Sequence, residues 1–367
     1  MADGLKEVMN WQQLAARMCE GVYKKFTNQK KGGLQMKKQG TFPFIGIVCV
    51  MFALALASPT TGVCAEKVYK IGISNFITHP ALDACQKGFI DQMAEEGFKE
   101  GDNVRYDKSN AEGDMSVVAS IAKKFVSQKK DLIYSITTPC TQAITAATKG
   151  THIPVVFGAM TDPVAAQVVD SWEKPGGNVT GCSDWMDVGA QVKLVKDICP
   201  NVKTLGTIYN AGEVNSKVQI EELKKAAPGL GIERIVEVTV ATSADVMVTA
   251  KSLMGRVDAV WVPTDNVVTS ALEAVVKVCE DNKVPLFGSD TNQVKRGVIA
   301  SCGIDFYILG RESGKMAARI LKGENPAYMP IHKGKMGDLH VNPSAAKRMG
   351  VSIPQSVMAK VTKVVDK

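Results

Sequence analysis

The side chains best suited to hold a small molecule in the first half of the chain stand at the ends of predicted buried strands. Thr138 ends one such strand and is followed by Pro139, which fits the first turn of a helix. The unpaired N–H groups and partial positive charge at a helix start suit a carboxylate, although Thr138 could also serve only as a cap, as could Asp162. The candidate ligand residues in this half are Asn75, Phe76, Thr137, Thr138, Gln142, Thr161, Asp162 and Ser183.

A second group of polar side chains follows predicted strands in the second half of the chain. One turn, residues 209–216, brings hydroxyl, amide and carboxylate groups together, which is more than a plain turn needs. An acid at a strand end could hold a ligand ammonium group by a charge-assisted hydrogen bond, and Asp265 and Asp290 are the two candidates, each with helix capping as the alternative. The candidate ligand residues here are Tyr209, Asn210, Glu213, Asn215, Asp265, Asn266 and Asp290.

Residue sets that carry out catalysis are missing from the sequence. It contains no nucleophile elbow, phosphate-binding loop, zinc-protease motif or glycine-rich dinucleotide fingerprint. Of the four histidines only His79 follows a predicted strand end, and we expect a surface or capping role for it. We therefore predict no catalytic residues, no metal ligands and no cofactor.

One structural motif occurs twice along the chain. Residues 131–138 lead through a helix-like stretch to 153–158, and residues 258–265 lead through another to 284–288. Each copy reads as a buried strand, a polar turn, a helix and a second buried strand. Ligands of open α/β sheets bind at the carboxyl ends of such strands, so two copies predict two similar lobes that close on one small molecule.

This pattern predicts an α/β fold of two doubly wound parallel-sheet lobes joined by hinge crossings. A helix is expected to start at Asp162-Pro163, another to run from Val267 to Asn282, and a third, Tyr307–Lys322, to follow a crossing back to the first lobe. We assign residues 66–184 and 305–328 to the first lobe, 185–304 and 329–350 to the second, and 351–367 to a C-terminal tail.

The charge of the chain gives no footprint for nucleic acid. The formal net charge is +7, but residues 1–38 supply +5 of it. The remaining body is nearly neutral, whereas nucleic-acid binding proteins concentrate basic residues on one face. We expect a small-molecule ligand and a monomer, and no nucleic-acid partner.

An export signal is predicted at residues 36–65. Met36-Lys37-Lys38 is a short basic start, residues 45–57 form an apolar run too short to span a bilayer, and Val63-Cys64-Ala65 offers a cleavage site. An uncleaved membrane anchor is the alternative. Residues 1–35 would be an extension, or Met36 the true start. We expect a periplasmic or extracellular protein in which Cys85, Cys199 and Cys279 pack within helices as small apolar residues.

Several linked motifs resemble the ABC-transporter substrate-binding family that includes tryptophan- and tyrosine-type binding proteins. The resemblance covers roughly residues 67–350. It implies a type I periplasmic-binding fold with three crossings, hinge closure around one ligand, and delivery of that ligand to an ABC permease. An aromatic amino acid is one ligand the resemblance implies. The stretches that carry it are Thr138–Ala143, Thr161–Ala166, Gly177–Asp184, Tyr209–Ser216, Pro263–Asn266 and Gly303–Gly310.

Two other functions remain open on the sequence. The effector domain of a transcriptional regulator shares this fold, but residues 1–35 are too short for the helix-turn-helix it would need. An α/β enzyme is the second, but the sequence lacks the glycine fingerprint and any acid/base set that such an enzyme would need.

For an α-amino acid ligand, the helix start at Thr138 would bind the carboxylate, and Asp290 or Asp265 would bind the ammonium. Phe76, Trp185, Tyr209 or Trp261 could supply an aromatic wall.

Overall fold

Residues 67–365 are described by a computed structural model of the protein. The expected signal segment 36–65 and the extension 1–35 lie outside the described residues. The strands are β1 Tyr69–Asn75, β2 Val104–Asn110, β3 Leu132–Ile136, β4 Val155–Gly158, β5 Val179–Ser183, β6 Thr204–Tyr209, β7 Arg234–Thr239, β8 Ala259–Val262, β9 Leu286–Gly288, β10 Ala300–Gly303, β11 His332–Lys333, β12 Asp338–Val341 and β13 Lys363–Val364.

Twelve α-helices connect these strands within the described range. They are α1 Pro80–Glu95, α2 Met115–Ser127, α3 Thr138–Thr148, α4 Val188–Ile198, α5 Val214–Ala226, α6 Val246–Lys251, α7 Asn266–Ser270, α8 Leu272–Asn282, α9 Thr291–Val294, α10 Phe306–Leu321, α11 Pro343–Arg348 and α12 Gln355–Met358. Across residues 67–365, none of the helices has the length and apolar character that a bilayer crossing requires.

The first lobe is a parallel sheet with helices on both faces. Its strand order is β11-β5-β4-β3-β1-β2, and every neighbouring pair is parallel. Successive residues of β3 point to opposite faces, so Ile133 packs in the cluster of α2 and α3 while Tyr134 packs in the cluster of α1 and α10. All five residues of β3 are buried, as a strand covered on both faces requires.

The second lobe repeats this arrangement. Strands β7-β6-β8-β9 form a parallel sheet, and β10-β12-β13 form a smaller sheet beside it in which β10 and β12 run antiparallel. The chain passes between the lobes after β5, after β10 and after β11, through residues 184–187, 304–305 and 334–337. The predicted α/β class with two parallel-sheet lobes and hinge crossings is therefore confirmed.

Two predicted helices differ from the structure. No helix begins at Asp162-Pro163; the Asp162 carboxylate accepts hydrogen bonds from the N–H groups of Val164 and Ala165, and Gln167 then adopts a left-handed backbone conformation (φ +59°) that ends the turn. The predicted helix Val267–Asn282 is two helices, α7 and α8, because Ala271 has a non-helical backbone.

The C-terminal segments also lie differently from their sequence assignment. Strand β11 pairs with the edge strand β5, so residues 332–333 complete the first sheet rather than the second lobe. Residues 351–365 do not form a free tail: β13 pairs with β12, and Val357 of α12 is buried. Unpaired backbone groups of the edge strands β5 and β12 accept these additions.

The six cysteines of the described range are all unpaired. Cys85 and Cys279 lie within α1 and α8 and are fully buried, as expected for small apolar residues. Cys199 caps the end of α4 and is partly exposed.

Candidate functional site

A small cavity lies between the two lobes and is lined by both. Its volume is about 20 Å³, which is room for about one water molecule. A solute the size of an amino acid therefore enters only when the lobes separate. The lining residues of the first lobe are His79, Leu82, Ala159, Thr161, Asp184 and Phe306; those of the second are Asn215, Thr264, Asp265, Asn266, Thr269, Asp290 and Gln293.

Asp184 follows β5 directly and presents an uncompensated carboxyl to the cavity. It is 4% exposed, and its Oδ1 has no hydrogen-bond partner among the described residues. Burial raises its pKa to about 6, and the neighbouring charge of Asp290 on the opposite lobe adds to this shift. Two carboxyls from different lobes thus approach each other when the cleft is closed.

Asp290 follows β9 and caps the short helix α9. Its Oδ1 accepts hydrogen bonds from the backbone N–H of Asn292 (2.8 Å) and from the Asn292 side chain (3.1 Å), within a capping box that includes Gln293. Burial raises the pKa of Asp290 to about 6. Asp290 therefore caps α9 and also lines the cavity, while its contact with a ligand ammonium stays a prediction.

Asp265 also lines the cavity, but its oxygens are used within the second lobe. Oδ1 accepts from the N–H of Val268 at 2.8 Å and caps α7, and Oδ2 accepts from the N–H of Asn210 and the hydroxyl of Ser216, both at 2.6 Å. Burial raises its pKa. Because both of its oxygens already accept hydrogen bonds, Asp265 is better suited to position the neighbouring turn and helix of the second lobe than to bind a ligand ammonium.

Glu213 positions two amide side chains that line the cavity from the second lobe, Asn215 and Asn266. Its carboxylate accepts from the side chain of Asn215 at 3.0 Å and from the side chain of Asn266. Burial and the nearby Asp265 raise the pKa of Glu213 to about 8. The Asn215 amide also donates to the carbonyl of Thr264 at 2.9 Å, which leaves the Asn215 Oδ1 buried without a partner among the described residues.

His79 occupies the N-cap position of α1 but makes no side-chain cap. It is 7% exposed, its Nδ1 has no partner among the described residues, and its side chain lies close to Asn266 of the second lobe. Burial, aided by the positive charge of Arg296, lowers its pKa to about 3. The expected surface or capping role of His79 is wrong, because closure of the second lobe over α1 buries the ring.

Polar groups also collect at the start of α3. The side chains of Asn75 and Thr138 are buried, and neither Asn75 Oδ1 nor Thr138 Oγ1 has a partner in the described part of the chain. Thr137 has φ +87° and ψ 157°, a conformation that side chains rarely adopt. Burial raises the pKa of the Cys140 thiol, and the charge of Glu213 in the second lobe adds to this rise. The start of α3 therefore faces the second lobe.

The remaining sequence candidates point elsewhere or support the lining. Gln142 donates to the carbonyl of Ala166 (3.2 Å), Asp162 holds its own turn, and the Tyr209 hydroxyl donates to Glu237 (3.0 Å). Ser183 is buried, and its hydroxyl donates to the carbonyl of Thr161. Phe76 packs in the core, and Asn210 accepts from the N–H of Gly212 in the turn before α5.

None of the four aromatic residues suggested for a wall lines the cavity. Trp261 is fully buried in the core, and Trp185 packs edge-on against Trp172 with ring centroids 6.4 Å apart. The aromatic lining residue is Phe306, which begins α10 just after Asp305 caps that helix. Sequence reasoning also missed His79, Leu82, Ala159, Asp184, Thr264, Thr269 and Gln293. Of these, His79, Asp184 and Thr264 are polar residues that follow a strand end, the signal used for the other candidates.

Residues 70–365 match the family model described as ABC transporter substrate binding protein. The chain belongs to this family. The Tyrosine-binding protein of Clostridioides difficile (strain R20291) is 42% identical over 285 residues, which cover 78% of this chain and 82% of that protein. The resemblance predicted from the sequence motifs is thereby confirmed, and the chain is a substrate-binding protein of an ABC transporter.

Two solved structures of similar proteins differ in ligand content: one contains L-Trp, and the other is ligand-free and open. An ABC domain from Streptococcus pneumonia in complex with L-Trp is 40% identical, covers 82% of this chain and all of its own, and has a TM-score of 0.78. The ligand-free, open structure of a substrate-binding protein with adhesive properties from Clostridium difficile is 42% identical at the same coverage, with a TM-score of 0.62. The structure described here is more similar to the protein with bound L-Trp than to the open one, and it buries His79 and Asp184 at a cavity lined by both lobes, as a closed arrangement does.

Proposed function

We propose that this protein is the exported solute receptor of an ABC importer and that it binds a free aromatic amino acid between its lobes. The observation that carries the proposal is the pair Asp184 and Asp290, which bring two carboxyls from opposite lobes to one closed cavity. A ligand ammonium placed between them would form charge-assisted hydrogen bonds with both carboxyls. The aromatic class is supported by the tyrosine and L-Trp in the names of the two relatives.

The carboxylate of the amino acid would bind at the start of α3. There the first-turn N–H groups and the unpaired Thr138 hydroxyl face the second lobe, and they could donate hydrogen bonds to the ligand carboxylate. The ring would lie toward Leu82, Ala159 and Phe306, the apolar part of the lining. Thr137, Asn75 and Asn215 complete the polar surroundings in this proposal.

Delivery to a membrane permease follows from closure. A ligand that contacts both lobes binds the closed form more tightly than the open form, so it shifts the population toward closure. The permease would then dock the closed lobes and take the solute unchanged. The predicted signal at 36–65 supports export, and the missing acid/base set supports binding without turnover.

The direct test is to identify the solute. The protein is purified under native conditions and then denatured to release its solute. We expect mass spectrometry to identify the released solute as intact tyrosine or tryptophan. Calorimetry of the ligand-free protein should then show one binding site for that amino acid. Recovery of a chemically altered solute would favour an enzyme. Failure of every aromatic amino acid to bind would remove the proposed ligand class.

A further inference from the structure

The cavity contains a hydrogen-bond acceptor that no residue uses. His79 is more than nine-tenths buried, lines the cavity, and has no partner for Nδ1 among the described residues. A buried acceptor left without a donor costs free energy. This acceptor is therefore suited to a donor that the ligand brings.

The protonation of the imidazole decides whether His79 Nδ1 can accept. The low pKa of about 3 keeps the ring neutral at physiological pH, so only one of its two nitrogens carries a hydrogen. Asn266 of the second lobe lies close to the ring, and its Nδ2 already donates to Glu213. In the tautomer protonated at Nε2, Nδ1 has no hydrogen and is an acceptor, and the role proposed below for His79 requires this tautomer.

Two apolar residues of the cavity lining lie on the helix that His79 begins and on the helix packed against it. Leu82 lies one turn further along α1 on the same face, and Phe306 begins α10, which packs tightly against α1. Both are nearly fully buried. The carboxyls that suit an ammonium, Asp184 and Asp290, extend from other strand ends, β5 and β9.

We propose that His79 Nδ1 is a specificity determinant that accepts a hydrogen bond from the ring of the ligand, either the phenol O–H of tyrosine or the indole N–H of tryptophan. This inference rests on the proposed function. Phenylalanine fills the same apolar space but has no ring donor, so it leaves the buried acceptor unpaired and binds less tightly. Sites built to hydrogen bond a ligand O–H or N–H discriminate strongly against the analogue that lacks it.

Calorimetry with tyrosine, tryptophan and phenylalanine tests this on the wild type and on His79→Leu. We expect the wild type to bind tyrosine or tryptophan at least about 10-fold, and up to about 100-fold, more tightly than phenylalanine. In His79→Leu that ratio should collapse to within about threefold, with phenylalanine affinity retained. The exposed His152 provides the matched control, since His152→Leu should leave all three affinities unchanged.

The three amino acids share the same ammonium and carboxylate, so the comparison isolates the ring. An equal loss of affinity for all three in His79→Leu would overturn the inference, as would a wild type that does not prefer a ring donor. If no aromatic amino acid binds the wild type, the proposed function itself fails. If they bind without discrimination, only the role of His79 fails.

A second measurement needs no variant. In nitrogen-15 NMR of the imidazoles, the His79 signals should show the tautomer protonated at Nε2, and the Nδ1 resonance should shift when tyrosine or tryptophan binds but much less with phenylalanine. A tautomer protonated at Nδ1, or the same Nδ1 shift with phenylalanine, would contradict the assignment.

Discussion

The Asp184 carboxyl is buried in the closed cleft with one oxygen unpaired and with Asp290 of the other lobe nearby. Without a cation, two such groups oppose closure, because burial disfavours the charged form of each and the charge of Asp290 adds to this at Asp184. A ligand ammonium removes this conflict. At the residue scale, Asp184 should therefore contribute to ligand affinity rather than to folding.

Asp184→Asn should weaken binding of the aromatic amino acid by about 10- to 100-fold, because a charge-assisted hydrogen bond is replaced by a neutral one. The thermal midpoint should stay the same or rise, since a buried charge is removed. Calorimetry and a thermal melt measure the two effects. Asp162→Asn is the control, because Asp162 only holds a turn outside the cavity; unchanged affinity in Asp184→Asn would place the ammonium elsewhere.

Individual site residues were predictable where the strand-end rule applies. Asp265, Asn266 and Asp290 follow strands and do line the cavity. His79 was not predictable, since its burial comes from a lobe that is distant in sequence. Tyr209 and Gln142 follow the same local pattern as the lining residues, but their side chains find partners outside the cavity, and only the tertiary structure decides this.

At the scale of elements, the junction between β3 and α3 contains an unfavourable backbone conformation. Thr137 takes a backbone conformation that is costly for a β-branched residue, and the next hydroxyl, Thr138 Oγ1, is buried without a partner among the described residues. Such features persist where the surrounding structure holds them in place. They fit an element kept ready for a ligand carboxylate.

Thr138→Val keeps the shape of the side chain and removes the unpaired hydroxyl. We expect the free energy of unfolding to rise by about 1 kcal/mol, because an unsatisfied buried oxygen is lost, while ligand affinity falls about 10-fold. Denaturant unfolding and calorimetry measure both. Thr145→Val is the control in the same helix: its hydroxyl is also buried and unpaired in the described structure, yet it lies about two turns beyond the helix start where the carboxylate is proposed to bind.

The paired helices α1 and α10 approach so closely that only glycine fits between them. A Cβ on Gly310 would lie 2.0 Å from the carbonyl oxygen of Cys85, and one on Gly88 would lie 2.1 Å from that of Tyr307. This contact ties α10, which follows the second crossing, to the first lobe. It also positions Phe306 beside the residues of α1 in the cavity wall.

Gly310→Ala should therefore lower the free energy of unfolding by about 2 kcal/mol or more, since backbone atoms must move to admit the methyl group. Denaturant unfolding provides the measurement. Gly229→Ala is the matched control, because an added Cβ there meets no neighbour within 4 Å. Equal stability of the two variants would contradict the packing argument.

The sequence predicted which strands and helices exist better than it predicted where they begin, end or break. The continuous apolar runs of β3 and β8 fixed buried strands, and proline after threonine marked the start of α3. The Asp162-Pro163 pair carries the same helix-start signal but folds as a turn, because Gln167 reverses the chain. The short strands β11 and β13 have no pattern of their own and form only because edge strands are there to pair with.

At the scale of the whole molecule, closure is linked to protons. The pKa values of Asp184 and Asp290 are raised to about 6 from their usual 3.8 in the closed, buried arrangement, so this arrangement binds protons more tightly than one in which both face water. The resulting stabilisation of the closed, ligand-free form is fully present below the usual value and is lost as the pH rises through about 6.

His79 opposes this effect, because its burial in the closed form lowers its pKa to about 3 and so disfavours closure below its usual value of 6.5. In the variant His79→Leu, which lacks this opposing group, small-angle scattering should report a smaller radius of gyration for the ligand-free protein at about pH 5 than at about pH 8. Ligand affinity should change in the opposite sense and fall as the pH drops below about 6, because protonated carboxyls no longer attract an ammonium. Adding Asp184→Asn and Asp290→Asn to His79→Leu should remove most of both dependences. A ligand-free radius of His79→Leu that does not change with pH would argue against this linkage.

The three crossings between the lobes leave from one side of the molecule. Strands β5 and β11 are neighbours at one edge of the first sheet, and β10 and β12 are neighbours in the second lobe, whereas β2 and β7 form the opposite edges. Lobes joined on one flank can separate only on the opposite flank. We therefore expect the solute to enter and leave on the flank of β2 and β7. A disulfide engineered between the lobes on that flank should prevent release of a bound solute, whereas a disulfide beside the crossings should not.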